Sequence, residues 1–141
     1  MTWIGNVNSN KQKYLYFRTV ATDADDDAAG DSALFPASSL MGMQPTADAS
    51  LTLYFKSMLR RTPSGNEPDA DASFDNNDSV IVTISANTHF VAMNAIIEAI
   101  NNDNFPAVIV VANDDSGGIE YLNGSGITAC GTITVAAAYS N

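Results

Sequence analysis

Five aspartates lie within nine residues near the start of the chain: Asp23, Asp25, Asp26, Asp27 and Asp31. Carboxylate oxygens are the usual protein ligands of Ca²⁺ and Mg²⁺, so this segment is the first place to look for chemistry. An EF-hand loop that starts at Asp23 needs Gly at its sixth position and Glu at its twelfth. Those positions hold Ala28 and Leu34. The sequence leaves two interpretations: a solvated loop, or a weak Ca²⁺ site built from Asp23, Asp25 and Asp27. No other cofactor is expected.

Residue types that commonly perform catalysis are scarce. His89 is the single histidine and lies at the predicted start of a helix. Cys130 is the single cysteine and lies in the alternating segment ITACGTITV, which predicts a small buried apolar side chain. No nucleophile elbow, phosphate-binding loop or common structural zinc pattern is present. We therefore predict no enzymatic activity and assign no catalytic residue.

The charge of the chain strongly disfavours two classes of partner. The formal net charge is −10, and residues 62–141 contain no lysine or arginine. A nucleic-acid binder needs basic side chains to displace counterions from phosphates, and docking on an anionic membrane needs them as well. Binding to nucleic acid or to a membrane is therefore not expected.

Aromatic residues lie on two predicted strands. Tyr14, Tyr16 and Phe17 belong to one, and Tyr54 and Phe55 to the other. Such residues most often make cross-strand and core contacts. A sugar-binding surface that includes Tyr16 or Tyr54 is the alternative, and it belongs with the calcium hypothesis as an acidic binding module.

Hydrophobic patterning predicts an α+β fold, with residues 1–141 as one domain built on a mixed sheet of five to six strands. Predicted strands span 13–21, 49–61, 79–86, 107–112 and 127–137, with a short sixth at 119–123. Residues 22–33 and 62–78 are predicted to be exposed acidic loops, and residues 32–45 to be irregular. The continuous apolar run at 107–112 predicts a central strand, and 79–112 reads as a strand–helix–strand unit.

The one predicted helix, at about residues 88–102, is apolar around most of its circumference. Its polar residues form one narrow stripe: Asn94, Glu98, Asn101 and Asn102. A helix of this kind is covered on more than one side. We therefore predict a homo-oligomer, a dimer or a trimer, with Phe90, Met93, Ile97 and Ile100 at the interface.

Several segments together resemble small structural proteins of marine tailed phages of the cyanophage type. They are an aromatic strand that ends in an acidic loop (residues 14–31), the turn SSLMG (38–42), the strand LTLYFKS (51–57) and the strand AVIVVAND (107–114) after an apolar helix. The resemblance implies a virion protein, such as a capsid-decoration or particle-surface subunit, made in the host cytoplasm and in contact with other virion proteins. It implies no catalytic residue.

Overall fold

The computed structural model describes residues 12–58, 77–114 and 119–135, and the fold of these residues is α+β. They form one α-helix and seven strands. In chain order the elements are β1 (Tyr14–Arg18), β2 (Ser32–Pro36), β3 (Leu40–Ala47), β4 (Ser50–Phe55), β5 (Asp78–Ile84), α1 (His89–Asn101), β6 (Val108–Asn113) and β7 (Ile127–Thr134), with short 3-10 helices at Asp23–Asp25 and Ala37–Ser39. The described part of the chain contains no helix that is long and apolar enough to span a membrane.

The strands form two sheets. The first sheet has the order β2-β1-β6, with β1 antiparallel to β2 and parallel to β6. The second sheet has the order β3-β4-β5-β7 and is antiparallel throughout. The predicted class is confirmed, whereas the predicted single sheet of five to six strands is wrong. The alternation of apolar and polar residues indicates that a segment is a strand, but it does not show which strand that segment pairs with.

The predicted strand–helix–strand unit is divided between the sheets. β5 belongs to the second sheet and β6 to the first, so α1 passes from one sheet to the other. β6 is also an edge strand, and Val108 at its start is 44% exposed. The prediction of a central strand at 107–112 is therefore wrong. β6 buries Ile109 and Val111 against the core, while its one strand partner is β1.

Residues 32–45 are not irregular, because they supply β2 and most of β3. Proline is tolerated at both places because β2 and β3 are edge strands: Pro36 ends β2, and Pro45 lies within β3. The short strand predicted at 119–123 is absent, and a turn occupies its end. The loop predicted at 62–78 lies almost entirely outside the described residues. Its last residue, Asp78, begins β5 and is fully buried.

The core lies between the two sheets. On β4, Leu51, Leu53 and Phe55 are all fully buried, as their alternation predicts. The Phe55 ring stacks on Phe35 of the first sheet at 4.1 Å between centroids, and it meets Phe17 edge-on at 6.0 Å. These rings join the sheets, and the buried apolar residues of the described ranges form one cluster.

Two irregularities in β7 decide which of its side chains reach this core. The pairing of β7 with β5 shifts register twice, once near Thr128 and once near Gly131. Each extra residue resets the in–out alternation, so Ile127, Cys130 and Ile133 all point inward although they are three residues apart. Gly131 is required at the second shift, because a Cβ there would lie 2.9 Å from the Ile81 carbonyl oxygen.

Side chains fix both ends of α1. At its start, the His89 ring meets backbone carbonyls at the β3–β4 connection of the second sheet. At its end, the ammonium of Lys13, which precedes β1 of the first sheet, donates to the carbonyl oxygens of Ala99 and Asn102. The helix therefore bridges the two sheets, and its rotation about its own axis is set from both ends.

Candidate functional site

The aspartate-rich loop between β1 and β2 makes an ion pair at its start. Arg18 is 6% exposed; its Nε donates to Asn113 Oδ1 at 2.9 Å, and its Nη1 contacts Asp23 Oδ1. The Asp23 side chain is 92% exposed, so water screens this pair and its contribution to stability is small. One member of the predicted metal site is therefore directed towards a guanidinium.

The neighbouring aspartates accept hydrogen bonds from side chains of the loop and of the first residue of β2. Thr22 Oγ1 donates to Asp25 Oδ2 at 2.8 Å, and Ser32 Oγ donates to Asp26 Oδ1 at 2.7 Å. Among residues 12–58, 77–114 and 119–135, no three His, Cys, Asp or Glu side chains are arranged to hold a metal ion. The structure thus does not bring Asp23, Asp25 and Asp27 together, and the calcium site stays a prediction.

The His89 side chain forms hydrogen bonds with main-chain carbonyl oxygens. Its Nε2 lies 2.8 Å from the Ala47 carbonyl oxygen and 3.1 Å from that of Ser50. Both partners are acceptors, so Nε2 carries the hydrogen and donates it. The prediction of a helix-start histidine is confirmed, because α1 begins at this residue.

Cys130 is 5% exposed in the core, and this confirms the prediction of a buried apolar side chain. Burial and the nearby carboxylate of Asp114 raise the pKa of the Cys130 thiol to about 12, and a backbone hydrogen bond from Arg18 offsets part of this. A thiolate is required for nucleophilic attack. The thiol is therefore protonated and unreactive at neutral pH.

The aromatic residues of β1 and β4 divide between core and surface. Phe17 and Phe55 are fully buried and so belong to the core, as the commoner interpretation predicts. Tyr16 instead lines an open, largely apolar cavity of about 500 Å³ on the outer side of β1 and β2, together with Leu34 and Met58.

The helix α1 exposes several large apolar side chains to solvent. Its interior face consists of Ala92, Ile96 and Ala99, which are at most 1% exposed. On the opposite side Phe90 is 78% and Ile97 40% exposed; we call these two residues the outer face of α1. Val91 is 47% exposed but lies about 100° round the helix from them, beyond the exposed Asn94 and Glu98.

The predicted interface residues divide between these environments. Phe90 and Ile97 lie on the outer face, whereas Met93 and Ile100 are partly buried and pack against the core of their own chain. Val91 was not predicted at the interface. Its exposure follows from the rotation of the helix, which the sequence pattern leaves open.

A second exposed surface was missed because its segment read as irregular. β3 is an edge strand in which six of eight residues are exposed, and none of the eight is charged. Met41 alone is 49% exposed. Edge strands usually carry charge that discourages pairing with another chain, so an uncharged edge is the signal that could have found this surface.

Comparisons of the chain with protein-family models, with curated protein sequences and with solved structures gave no match in any of the three.

Proposed function

We propose that this chain is a non-enzymatic structural subunit that associates with copies of itself, as a dimer or trimer, through the outer face of α1. The observation that carries the proposal is the exposure of Phe90 and Ile97 on one side of this helix. Burying a side chain of this kind is worth about 1.5–3 kcal/mol relative to leaving it in water. Phe90 and Ile97, two turns apart on one side of the helix, thus offer a gain to any arrangement that covers them.

The distribution of side-chain sizes on α1 supports this. The helix presents two alanines, Ala92 and Ala99, to its own core and a phenylalanine, Phe90, to solvent. A helix whose only contact was the chain's own core would gain most by the reverse arrangement. The large outward side chains therefore fit a second packing surface.

The low charge of α1 also supports self-association through this helix. Glu98 is the single acidic residue of α1, and the helix has no lysine or arginine, although the chain as a whole carries −10. Interface centres are depleted of charged side chains. A surface with a single carboxylate, that of the exposed Glu98, is where two copies of an acidic chain repel each other less than elsewhere.

The area of α1 is small for a stable interface, so the proposal needs a second surface. A helix of 13 residues is about 20 Å long, whereas a stable interface buries about 800 Å² on each partner. The uncharged edge β3 lies beside the start of α1, where His89 contacts the Ala47 carbonyl oxygen. We include β3 in the proposed interface.

The placement in a virus particle rests on the resemblance to phage structural proteins. A particle-surface subunit must associate with its neighbours and yet keep the particles soluble. The high negative charge of the rest of the chain favours solubility. Mass spectrometry of purified particles from the encoding phage, compared with the infected lysate, would test this part: enrichment in particles supports it, and depletion contradicts it.

Self-association is tested by light scattering after size exclusion, once with EDTA and once with millimolar Ca²⁺. We expect a stable multiple of 14.9 kDa in both buffers. Ile97→Asp should reduce the mass to that of one chain while the circular dichroism spectrum is kept. Ser38→Asp, which adds the same charge at an exposed position of a 3-10 helix, is the matched control and should keep the parent's mass.

Two results would contradict the proposal. One is a parent chain that elutes as a monomer in both buffers. The other is an Ile97→Asp variant with the mass and melting temperature of the parent. A monomer that changes mass or shape only when Ca²⁺ is added would favour the acidic binding module instead.

A further inference from the structure

The turn between β6 and β7 contains the single Asn–Gly pair of the sequence, Asn123–Gly124. Ser125 N–H donates to the Leu122 carbonyl oxygen at 3.0 Å, so Asn123 and Gly124 are the two central residues of a β-turn. Gly124 has φ +81°, whereas Asn123 is not among the residues with positive φ. This combination is that of a type II turn, which requires glycine at the second central position.

An Asn–Gly pair can react with itself. The Gly124 nitrogen attacks Asn123 Cγ, the new C–N bond closes a five-membered succinimide, and the side-chain nitrogen leaves as ammonia after taking up a proton. Water then opens the ring at either carbonyl to give aspartate or isoaspartate. Glycine favours the reaction because it has no side chain to hinder the attacking nitrogen.

The folded turn opposes this reaction in two ways. In a type II turn ψ of the first central residue is about +120°, which directs the following nitrogen away from the Asn123 side chain. Ring closure therefore requires rotation about that bond and loss of the turn hydrogen bond. In addition, Gly124 N–H donates to the Glu120 carboxylate, and a negative charge beside the amide opposes loss of its proton.

We propose that Asn123 is a site of spontaneous deamidation and that the turn, with Glu120 as its positioning residue, restrains the reaction until the turn opens. The side chain is exposed, so water reaches it. The flanking residues are not free to follow a change in the main chain, because Leu122 is 4% and Ser125 0% exposed. A change in the main chain at Asn123 would therefore disturb the buried residues on either side of it.

The product would alter the contact with α1. Asn123 and Glu98 line the same small cavity, of about 150 Å³, beside the second half of the helix. A carboxylate in place of the Asn123 amide adds a like charge near Glu98. Isoaspartate also lengthens the main chain by one carbon between the buried residues. The modified chain should therefore melt at a lower temperature than the parent.

The test compares the rate of deamidation at Asn123 in the native and the urea-unfolded full-length chain, both kept in mildly alkaline buffer at body temperature. The mass gain is located in chymotryptic peptides, because residues 62–141 offer trypsin no cleavage site. The unfolded chain should react roughly tenfold faster or more, since local opening limits the native rate. Equal rates, or no modification in the unfolded chain, would overturn the proposal.

The role of Glu120 is tested by Glu120→Ala, which should speed deamidation of the native chain severalfold and leave the unfolded rate nearly unchanged. Glu98→Ala is the matched control: it removes a nearby carboxylate that does not contact Gly124 N–H. If both variants deamidate at the parent's native rate, Glu120 does not restrain the turn. Asn123→Gln should abolish the mass gain at this peptide, and a gain that persists would place the reaction elsewhere.

Discussion

Ile96 and Ile97 are neighbours in the sequence and lie in opposite environments. Ile96 is fully buried among the residues that join the two sheets, whereas Ile97 is 40% exposed on the outer face of α1. The two side chains are chemically identical, so their difference comes only from the rotation of the helix. His89 and Lys13 set that rotation from opposite ends.

The interior and the outer face also differ in side-chain size. Between the sheets, rings from β1, β2 and β4 meet at centroid distances of 4.1 to 6.1 Å, and small residues let α1 approach closely. On the outer face a phenylalanine extends into solvent. The first surface is complete within one chain, and we infer that the second is completed by another copy.

The largest effect is expected from truncating each isoleucine in turn. Ile96→Ala should lower the free energy of unfolding by about 2–5 kcal/mol, because it removes buried methyl groups and leaves a cavity. Ile97→Ala, measured at a dilution where the chain is monomeric, should change it by no more than about 0.5 kcal/mol. Urea unfolding followed by circular dichroism measures both. Equal costs would mean that the two faces do not differ as described.

Local pattern was sufficient for the elements that alternate cleanly. Leu51, Leu53 and Phe55 indicate β4, and the apolar helix is found within two residues of its observed start and end. The pairing of strands was not predictable, because β5 and β6 carry no local sign that they belong to different sheets. In β7, the inward residues Ile127, Cys130 and Ile133 follow no period of two, since register shifts separate them.

The candidate surfaces show the same limit. That α1 carries more apolar residues than one buried side needs could be predicted from its sequence, but which isoleucine faces outward depends on contacts made far away in the sequence. Lys13 reaches a carbonyl 86 residues distant, and no local pattern distinguishes it from an exposed lysine. The spacing of the aspartates suggested that they form one cluster. In the structure Asp23 instead contacts Arg18, and Asp26 accepts a hydrogen bond from Ser32.

Alkaline pH gives a second test of the interior. Because burial raises the pKa of the Cys130 thiol to about 12, the folded chain keeps its proton where the unfolded chain loses it. This contribution to stability is complete below about pH 9 and declines by roughly 1.4 kcal/mol per pH unit from there to about pH 12. Unfolding measured across this range should show that slope in the parent and a shallower one in Cys130→Ala. Identical slopes would show that the thiol is not held in a dry interior.

The smallest effect concerns the residue that fixes the end of α1. Lys13 is 5% exposed, and its Nζ donates to the Ala99 carbonyl oxygen at 3.1 Å and lies 5.9 Å from the centre of the Phe105 ring. Lys13→Met keeps the apolar stem and removes the charge and the donors. We expect a loss of about 1–2 kcal/mol, as for a cation at a helix C-terminus that also satisfies buried carbonyls.

Lys56→Met is the matched control, since Lys56 is exposed at the end of β4 and should cost close to nothing. The midpoint of urea unfolding at constant slope measures both variants. If Lys13→Met is as stable as Lys56→Met, the helix end is held by packing alone. If it is less stable, light scattering on the same variant becomes informative: a helix released at this end can rotate, the outer face is then presented less uniformly, and self-association should weaken along with the fold.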